Sequence, residues 1–307
     1  MEIIRHILRQ PRLPHPVVSL GNFDGVHLGH QTILRRLVQE AERRRGTALV
    51  VTFHPHPLSV LRPARPLPLI LSLREKLDSL AQQGVQRVVL QRFSRAFSRL
   101  SPEEFVDQYL VRAIGVEHVI IGHNFSFGRD RSGSAEALER LGQRHDFGVE
   151  VVGPVRVLDR AVSSSAIRSL LSAGDLDGAT ALLSRPYTVS GRVQQGFRRG
   201  RTIGFPTANL RPRADLLLPD GVYAVRIEVG QQTRLAGVAN VGVNPTFGHN
   251  ARTVEAHIFD FSADIYGQRL RVGFVARLRG ERKFPSVPDL VRQIREDAER
   301  ARTLLGR

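Results

Sequence analysis

The sequence contains no cysteine, and methionine occurs once in its 307 residues. The absence of cysteine excludes disulfide bonds, thiolate zinc sites, iron–sulfur clusters and a cysteine nucleophile. No segment reaches the roughly 20 consecutive apolar residues that a membrane-spanning helix needs. The N-terminal segment has no apolar core of the kind found in secretory signals. We therefore expect a cytoplasmic protein with no membrane partner.

Lysine is almost as scarce, since Lys76 and Lys283 are the only two. Arginine therefore supplies nearly all of the 45 basic residues, and 29 acidic residues leave a net charge of +16. Guanidinium groups match phosphate oxygens, so the charge favours either nucleic acid or a phosphorylated small molecule as partner. A GC-rich genome is an alternative explanation for the ratio of arginine to lysine. The short arginine runs lack the interleaved aromatic residues of a base-stacking surface.

The composition is that of a globular protein, and the length suggests two domains of roughly 150 residues each. Up to about residue 185, short apolar runs alternate with amphipathic stretches. We predict strands at Val17–Leu20, Leu49–Phe53, Arg87–Leu90, Val119–Ile121 and Val149–Val152. We predict helices at residues 30–45, 73–81 and 102–113, between the last two strands, and at Ser165–Leu171 and Asp175–Leu183. This alternation predicts an α/β domain with a parallel sheet covered by helices on both faces.

From Arg185 onward the apolar residues alternate with a period of two, which is typical of antiparallel strands. The predicted strands are Tyr187–Val193, Val222–Val229, Leu235–Asn240, Thr253–Phe259 and Leu270–Leu278, and a helix is predicted at Val287–Leu305. Short strands at this spacing favour a small antiparallel barrel with a C-terminal helix. We therefore predict two domains, at residues 1–185 and 186–307.

The segment from Gly21 to His30 reads Gly-Asn-Phe-Asp-Gly-Val-His-Leu-Gly-His and joins the first strand to the first long helix. Its glycines, at 21, 25 and 29, allow a sharp turn and a close approach of the backbone to a ligand. His27 and His30 lie three residues apart, on one side of a helix start whose N–H groups bind anions. We expect these imidazoles to neutralise charge on an α-phosphate during nucleotidyl transfer.

Two other interpretations of this turn stay open at this point. A zinc site could combine His27 and His30 with His54 and His56, although no dedicated carboxylate stands beside them. The histidines could also be surface residues on a glycine turn. A P-loop is not predicted, because neither lysine follows a glycine as that motif demands.

The Gly21–His30 segment resembles the signature of the HxGH nucleotidyltransferases, and it is similar to the N-terminal module of the bacterial bifunctional riboflavin kinase/FAD synthetases. Further segments that resemble this family in order and spacing are Thr52–Pro57, Ile121–Gly128 and Val162–Arg168. The resemblance implies a Rossmann-like nucleotidyltransferase domain followed by a riboflavin kinase barrel.

The resemblance also implies site residues in the first domain. Those implied to bind ATP and its phosphates are Gly21, Phe23, Asp24, Gly25, Gly29, Ser164, Ser165 and Arg168. The residues implied to bind flavin are Asn124, Phe125 and Phe127. An alternative for the two phenylalanines, that they are core residues, stays open.

The second half begins with a glycine-rich segment, Gly196–Leu210, which closely resembles the riboflavin kinase motif. The residues of this loop that we expect to hold ATP or flavin are Gly196, Gly200, Arg201, Gly204 and Pro206. Thr207 and Asn209 alternate around Ala208, so both point the same way in an extended segment. Their oxygen atoms suit Mg²⁺ shared with phosphates.

Glu255 lies in a predicted strand and aligns with the family's catalytic glutamate. Its role would be to take the proton from the ribityl 5′-hydroxyl as that oxygen attacks the γ-phosphate of ATP. His257 shares the face of Glu255, and we interpret it as structural. The segments at residues 240–247 and 264–267 complete the resemblance.

The resemblance implies the synthesis of flavin cofactors in two steps, with Mg²⁺, ATP, riboflavin and FMN as cofactor and substrates. The kinase domain would convert riboflavin to FMN, and the first domain would transfer AMP from ATP to FMN, giving FAD and pyrophosphate. We expect His27, His30 and Glu255 to be the catalytic residues, and small molecules rather than nucleic acid to be the partners. The alternative is a basic RNA-binding or regulatory protein that keeps the fold without turnover. Transient self-association is a further open alternative.

Overall fold

The computed structural model describes residues 1–9, 13–65, 67–195, 200, 203–212, 214–230, 232–243 and 252–306. The chain divides into two compact units. The first unit comprises Met1–Leu67 and Leu73–Ser163, and the second comprises Pro68–Ser72 and Ser164–Arg307. Of the helices in these described ranges, none combines the length and the apolar character needed to cross a membrane.

The first unit is built on a parallel sheet, with six strands in the described part of the chain. They are β1 (Glu2–Ile4), β2 (Pro16–Leu20), β3 (Thr47–His54), β4 (Arg87–Arg92), β5 (His118–Gly122) and β6 (Gly148–Val152). Their order across the sheet is β1-β4-β3-β2-β5-β6, and each neighbouring pair is parallel. The predicted strands of this half are thereby confirmed. The edge strand β1 escapes prediction because a three-residue strand with two exposed side chains has no apolar run.

Helices connect these strands, and the sequence predicts each of them except the five-residue helix at Pro57–Leu61. They are α1 (Leu28–Arg43), α2 (Pro57–Leu61), α3 (Leu73–Gln82), α4 (Pro102–Phe105) and α5 (Ala135–His145), and a π-helix over Val106–Ile114 continues α4. All five residues of β2 are buried, which requires cover on both faces of the sheet. Helix α1 buries Leu34, Leu37 and Ala41. The predicted cap is also present, since Ser101 and Glu104 form a reciprocal capping box.

The second unit contains a closed antiparallel barrel. Its strands are β9 (Thr188–Gln194), β10 (Ala208–Leu210), β11 (Gly221–Val229), β12 (Gln232–Val243), β13 (Arg252–Ile258) and β14 (Arg269–Arg279). Two short strands of the first unit precede them in the chain and pair with each other. They are β7 (Arg156–Val157) and β8 (Arg160–Ala161). The order around the barrel is β10-β13-β12-β11-β14-β9. The unit also contains α6 (Ser164–Ala173), α7 (Leu176–Leu183) and α8 (Val287–Leu304).

Aromatic side chains fill the interior of the barrel, and helix α8 packs against its outer surface. Tyr187, Tyr223 and Phe274 are almost fully buried, and Phe274 packs between the two tyrosine rings at centroid distances of 6.0 and 5.4 Å. Helix α8 is attached by a buried ion pair, in which Arg279 of β14 lies 2.8 Å from the carboxylate of Asp297. The predicted barrel and C-terminal helix are confirmed.

The division between the two compact units falls between Ser163 and Ser164, because α6 and α7 group with the barrel. The sequence boundary at residues 185 and 186 lies after these helices and stays a prediction.

Candidate active sites

The Gly21–His30 turn is buried and tightly wound. It begins after β2 and ends in the first turn of α1. Phe23, Gly25 and Val26 have φ angles of 50°, 89° and 39°, and two of these three residues carry side chains that disfavour such angles. The side chains of Phe23, Asp24 and Val26 are buried. The turn is therefore a fixed structure, which disfavours the interpretation as a surface turn.

His27 and His30 form a stacked pair at the start of α1. His27 is the N-cap, and its Nδ1 accepts a hydrogen bond from the backbone N–H of His30 at 3.3 Å. The two rings lie 3.6 Å apart with their planes inclined by 14°. Because Nδ1 of His27 is an acceptor, the ring proton of the neutral form lies on Nε2. The pair thus offers N–H groups beside the anion-binding end of a helix.

The surroundings of His30 keep it uncharged. Its Nδ1 is buried and has no hydrogen-bond partner among the described residues. Burial, and then the charges of His27 and Lys76, lower the pKa of His30 well below its ordinary value. His30 is therefore neutral near pH 7.

The glycines of the turn leave space that a side chain would fill. A Cβ atom on Gly29 would lie 3.3 Å from the ring of His27 and 3.7 Å from the carbonyl oxygen of Val162. On Gly21 it would lie 3.1 Å from the ring of Phe23. The strand end, the histidine pair and the chain at Val162 therefore pack closely around this turn.

The four-histidine zinc site is not formed. Nδ1 of His56 accepts a hydrogen bond from the backbone of Leu58 and caps α2. Within the described ranges, no three histidine, aspartate or glutamate side chains are placed to hold a metal ion.

A row of aromatic rings lies along the carboxyl ends of β3, β4 and β5. We call this set the aromatic row, and its members are Phe53, Phe93, Phe97, Phe105, Tyr109, Phe125 and Phe127. The rings of Phe125 and Phe127 stack 5.5 Å apart. Phe127 belongs to the buried core, Phe125 is half-buried at its margin, and Asn124 is exposed. The row presents flat apolar surface where ligands of parallel sheets bind.

The predicted phosphate residues of α6 belong to the second unit. Ser164 is the first residue of the helix, and Ser165 follows it with an exposed side chain. Nε of Arg168 donates a hydrogen bond to the carbonyl oxygen of Pro68 at 2.8 Å. The role of these three residues at the histidine pair stays a prediction.

The barrel brings the candidate base and the candidate metal ligand of the second half together. Asn209 of β10 is the register partner of Glu255 of β13, and Asn240 of β12 is the partner of Glu255 on its other side. Directly opposed residues of antiparallel strands project from the same face, so the three side chains form one row. Asn209 is buried and Glu255 is half-buried. A carboxylate thus lies beside two amides on one face of the barrel wall.

The loop before Thr207 is held against this face. Nδ1 of His257 lies 2.8 Å from the carbonyl oxygen of Pro206, and the ring of Phe205 meets that of His257 edge-on at 5.4 Å. The backbone N–H of Phe205 donates to the oxygen of Gly200 at 2.8 Å. Gly204 has a φ of 87°. The predicted residues Gly196 and Arg201 lie outside the described residues.

Comparison with known proteins decides the family. A family model described as FAD synthetase matches residues 10–166, and one described as riboflavin kinase matches residues 183–305. The bifunctional riboflavin kinase/FMN adenylyltransferase of Bacillus subtilis is 37% identical over 302 residues, which cover 96% of this chain and 94% of the relative. The chain belongs to the bifunctional riboflavin kinase/FMN adenylyltransferase family. The Haemophilus influenzae member is 38% identical over the full length of both chains.

A solved structure is similar to this chain over nearly its whole length. It is described as a macrolide-efflux protein from Streptococcus pneumoniae, is 35% identical, and superposes with a TM-score of 0.88 over 98% of each chain. Riboflavin, FMN and ATP are the small-molecule substrates that fit the two activities of the family. The alternative of an RNA-binding protein without turnover gains no support from these matches.

Sequence reasoning missed Lys76, and it named the segment Thr52–Pro57 without giving Thr52 a role. Both residues contact the Gly21–His30 turn, from α3 and β3. Nζ of Lys76 lies 3.0 Å from Oγ1 of Thr52 and 3.1 Å from the carbonyl oxygen of Asn22. The composition could have drawn attention to Lys76, because it is one of two lysines in a chain that otherwise uses arginine. Phe53 of the aromatic row lies in the same segment but was given no role. Phe93 and Phe97 were missed, although both follow a predicted strand.

Proposed function

We propose that each unit performs one of the two steps of FAD synthesis at its own site. The second unit phosphorylates riboflavin with ATP, and the first unit transfers AMP from a second ATP to the resulting FMN. The observation that supports this proposal is that each unit contains its own set of candidate phosphate-handling residues. The first unit has the stacked His27–His30 pair at a helix N-terminus, and the second has Asn209 in register with Glu255.

In the first unit, a phosphate oxygen of FMN attacks the α-phosphorus of ATP. The new phosphoanhydride bond forms as the bond to the β,γ-phosphates breaks, and pyrophosphate leaves. Nε2–H of His27, the ring of His30 and the N–H groups that begin α1 stabilise the charge that develops on the α-phosphate. No covalent enzyme intermediate is needed, because FMN supplies the nucleophile.

The other predicted residues bind and orient the two substrates. Gly21, Phe23, Asp24, Gly25 and Gly29 shape the turn so that its backbone approaches the triphosphate. Ser164, Ser165 and Arg168, at the start of α6, stay predicted ligands of phosphate oxygens. Asn124, Phe125 and Phe127 line the flavin site, and the half-buried rings of the aromatic row supply the apolar surface for an isoalloxazine ring.

In the second unit, Glu255 accepts the proton of the ribityl 5′-hydroxyl, and the oxygen attacks the γ-phosphorus of ATP while ADP leaves. Thr207 and Asn209 fit Mg²⁺, because a hydroxyl and an amide oxygen next to a carboxylate are the hard donors that this ion prefers. Bound there with the ATP phosphates, Mg²⁺ would offset their negative charge. Gly200, Gly204 and Pro206 bind the nucleotide or the flavin in this proposal, and Gly196 and Arg201 are assigned the same role from the sequence alone.

The Glu255→Gln variant tests the assignment of the kinase site. Riboflavin, ATP and Mg²⁺ are incubated with the chain, and FMN and FAD are separated by chromatography. We expect FMN formation to fall by about 10²–10⁴-fold, the usual contribution of a general base, while adenylylation of supplied FMN is unchanged. Glu228→Gln is the matched control, because Glu228 is an exposed strand glutamate of the same barrel.

Retention of FMN formation in Glu255→Gln would remove Glu255 from the mechanism. A wild-type chain that makes neither FMN nor FAD would contradict the proposed function as a whole.

We also propose that the enzyme works in the cytoplasm, where ATP is plentiful, and that its self-association is transient.

A further inference from the structure

Lys76 joins α3 to the Gly21–His30 turn and to the end of β3. Its Nζ donates hydrogen bonds to the carbonyl oxygen of Asn22 at 3.1 Å, to Oγ1 of Thr52 at 3.0 Å and to the carbonyl oxygen of Phe53 at 3.4 Å. Oγ1 of Thr52 donates to the same carbonyl oxygen of Asn22 at 3.2 Å. An ammonium group has three hydrogens to donate, so these three contacts use its full capacity.

The contact with Asn22 restrains the strained part of the turn. The carbonyl of Asn22 and the N–H of Phe23 belong to one planar trans peptide, so fixing the oxygen also fixes the direction of the N–H. Phe23 and Val26 have φ angles of 50° and 39°, which non-glycine residues adopt at a cost. Such conformations persist where the surrounding contacts over-determine them. Lys76 and Thr52 supply two of those contacts immediately before Phe23.

Lys76 also influences the charge of the histidines. Burial lowers the pKa of Lys76 to about 8, although Asp24 acts in the opposite direction. The pKa of His30 is lowered by burial, by His27 and by Lys76. The pKa of His54 is lowered by burial, by Lys76 and by Arg5. A protonated Lys76 therefore favours neutral imidazoles next to the turn.

We infer that Lys76 is a positioning residue for adenylyl transfer, whose ammonium group holds the Gly21–His30 turn in the conformation that receives the α-phosphate of ATP. It acts through Asn22 and the histidine pair rather than on the reacting atoms. The inference rests on the function proposed for the first unit and adds to it a lysine in α3 that is far from the HxGH segment in sequence.

The test compares Lys76→Met with the wild-type full-length chain. The variant keeps the length of the side chain and removes its charge and its hydrogen bonds. Adenylylation of supplied FMN is measured as kcat and as KM for ATP over about pH 6 to 10, the range in which lysine and histidine groups of this kind titrate. Riboflavin phosphorylation by the same chain is the internal control. Arg74→Met is the matched variant, because Arg74 is an exposed base of α3 paired with Asp78.

We expect kcat for adenylylation to fall at least about tenfold in Lys76→Met, because the groups that meet the transition state lose their fixed positions. KM for ATP should change less, and Arg74→Met should resemble the wild type. Wild-type adenylylation should decline as pH rises through about 8, where Lys76 loses its proton, and this decline should be absent from Lys76→Met. The pKa of His30, followed by NMR, should rise in the variant because a neighbouring positive charge is gone.

An unchanged kcat together with an unchanged pH profile and an unchanged His30 titration would overturn the inference. If Lys76→Met fails to fold, Thr52→Val is the variant that tests the inference. It keeps the ammonium group of Lys76, but it removes one of that group's hydrogen-bond acceptors and the second hydrogen-bond donor to the carbonyl oxygen of Asn22. A lower kcat with the alkaline decline retained supports the inference, and a wild-type kcat overturns it. A wild-type chain without any adenylylation would instead contradict the proposed function, so the two failures are distinguishable.

Discussion

At Gly200, an added Cβ atom would lie 2.2 Å from the backbone oxygen of Phe205, so another residue fits only if the loop moves. The residue after Phe205 is Pro206, and its carbonyl oxygen contacts Nδ1 of His257. His257 thereby acts as the structural residue that the sequence predicts, since it ties the loop to the strand that carries Glu255. Because Gly200 has no side chain, two backbone segments can approach each other closely next to the proposed kinase residues.

Gly200→Ala should lower kcat/KM for riboflavin phosphorylation by about 10²-fold, because displacing a substrate-holding loop by about 1 Å has an effect of this size. Adenylylation of supplied FMN should be unaffected. Gly280→Ala is the control, since its added Cβ would meet only the flexible guanidinium of Arg277, at 3.7 Å. Equal kinase activity in the two variants would show that the Gly200 contact has no role in turnover.

At the scale of elements, two ion pairs of different character, among the residues that the structure describes, attach helix α8 to the rest of the second unit. The pair of Arg279 and Asp297 is largely buried, with 19% and 7% of the two side chains exposed. The pair of Arg302 and Asp260 is at the surface, where 63% of the Asp260 side chain is exposed. Gln293 adds a hydrogen bond to Asp297 at 3.1 Å. Burial, rather than the number of contacts, should decide which pair stabilises the attachment.

Asp297→Ala should lower the free energy of unfolding by about 3 kcal/mol, because it leaves the Arg279 guanidinium buried without its partner. Asp260→Ala should cost less than about 1 kcal/mol, as exposed pairs do. Urea unfolding can be followed by tyrosine fluorescence, because Tyr187, Tyr223 and Tyr266 lie in the second unit and the chain has no tryptophan. Equal losses in the two variants would contradict this distinction.

At the scale of the whole molecule, the chain combines two units that handle the same substrate type by different local structures. In the proposed reactions, one unit presents imidazoles and a helix N-terminus to the innermost phosphorus of ATP. The other is proposed to use a carboxylate and amide groups on a barrel wall for attack at the outermost phosphorus. Neither proposed reaction uses the catalytic residues of the other. A mutation should therefore abolish one activity and leave the other intact.

The double variant His27→Ala/His30→Ala should make FMN from riboflavin but no FAD, the reverse of Glu255→Gln. Mixing the two variants should restore FAD synthesis from riboflavin, because FMN released by one chain can be adenylylated by the other. Product analysis by chromatography measures both outcomes. Loss of both activities in each folded variant would show that the two sites are not independent.

The sequence alone allowed prediction of the fold of both halves and recognition of the segments to which we assign the chemistry. The βα alternation, the period-two barrel strands and the capping box at Ser101 are local patterns, and local patterns are readable without knowing which distant segments meet. The turn at Gly21–His30 is likewise contiguous, so its glycines and histidines could be recognised together.

Only the tertiary structure decided which distant residues meet. The register that sets Glu255 between Asn209 and Asn240 arises from barrel closure, which no periodicity encodes. The contact between Lys76 and Asn22 spans 54 residues and depends on how α3 packs on the sheet. The π-helix after α4 and the grouping of α6 with the barrel are also consequences of packing. Contacts between remote segments are selected by burial and hydrogen bonding in the folded chain, and a single sequence records the residues but not their partners.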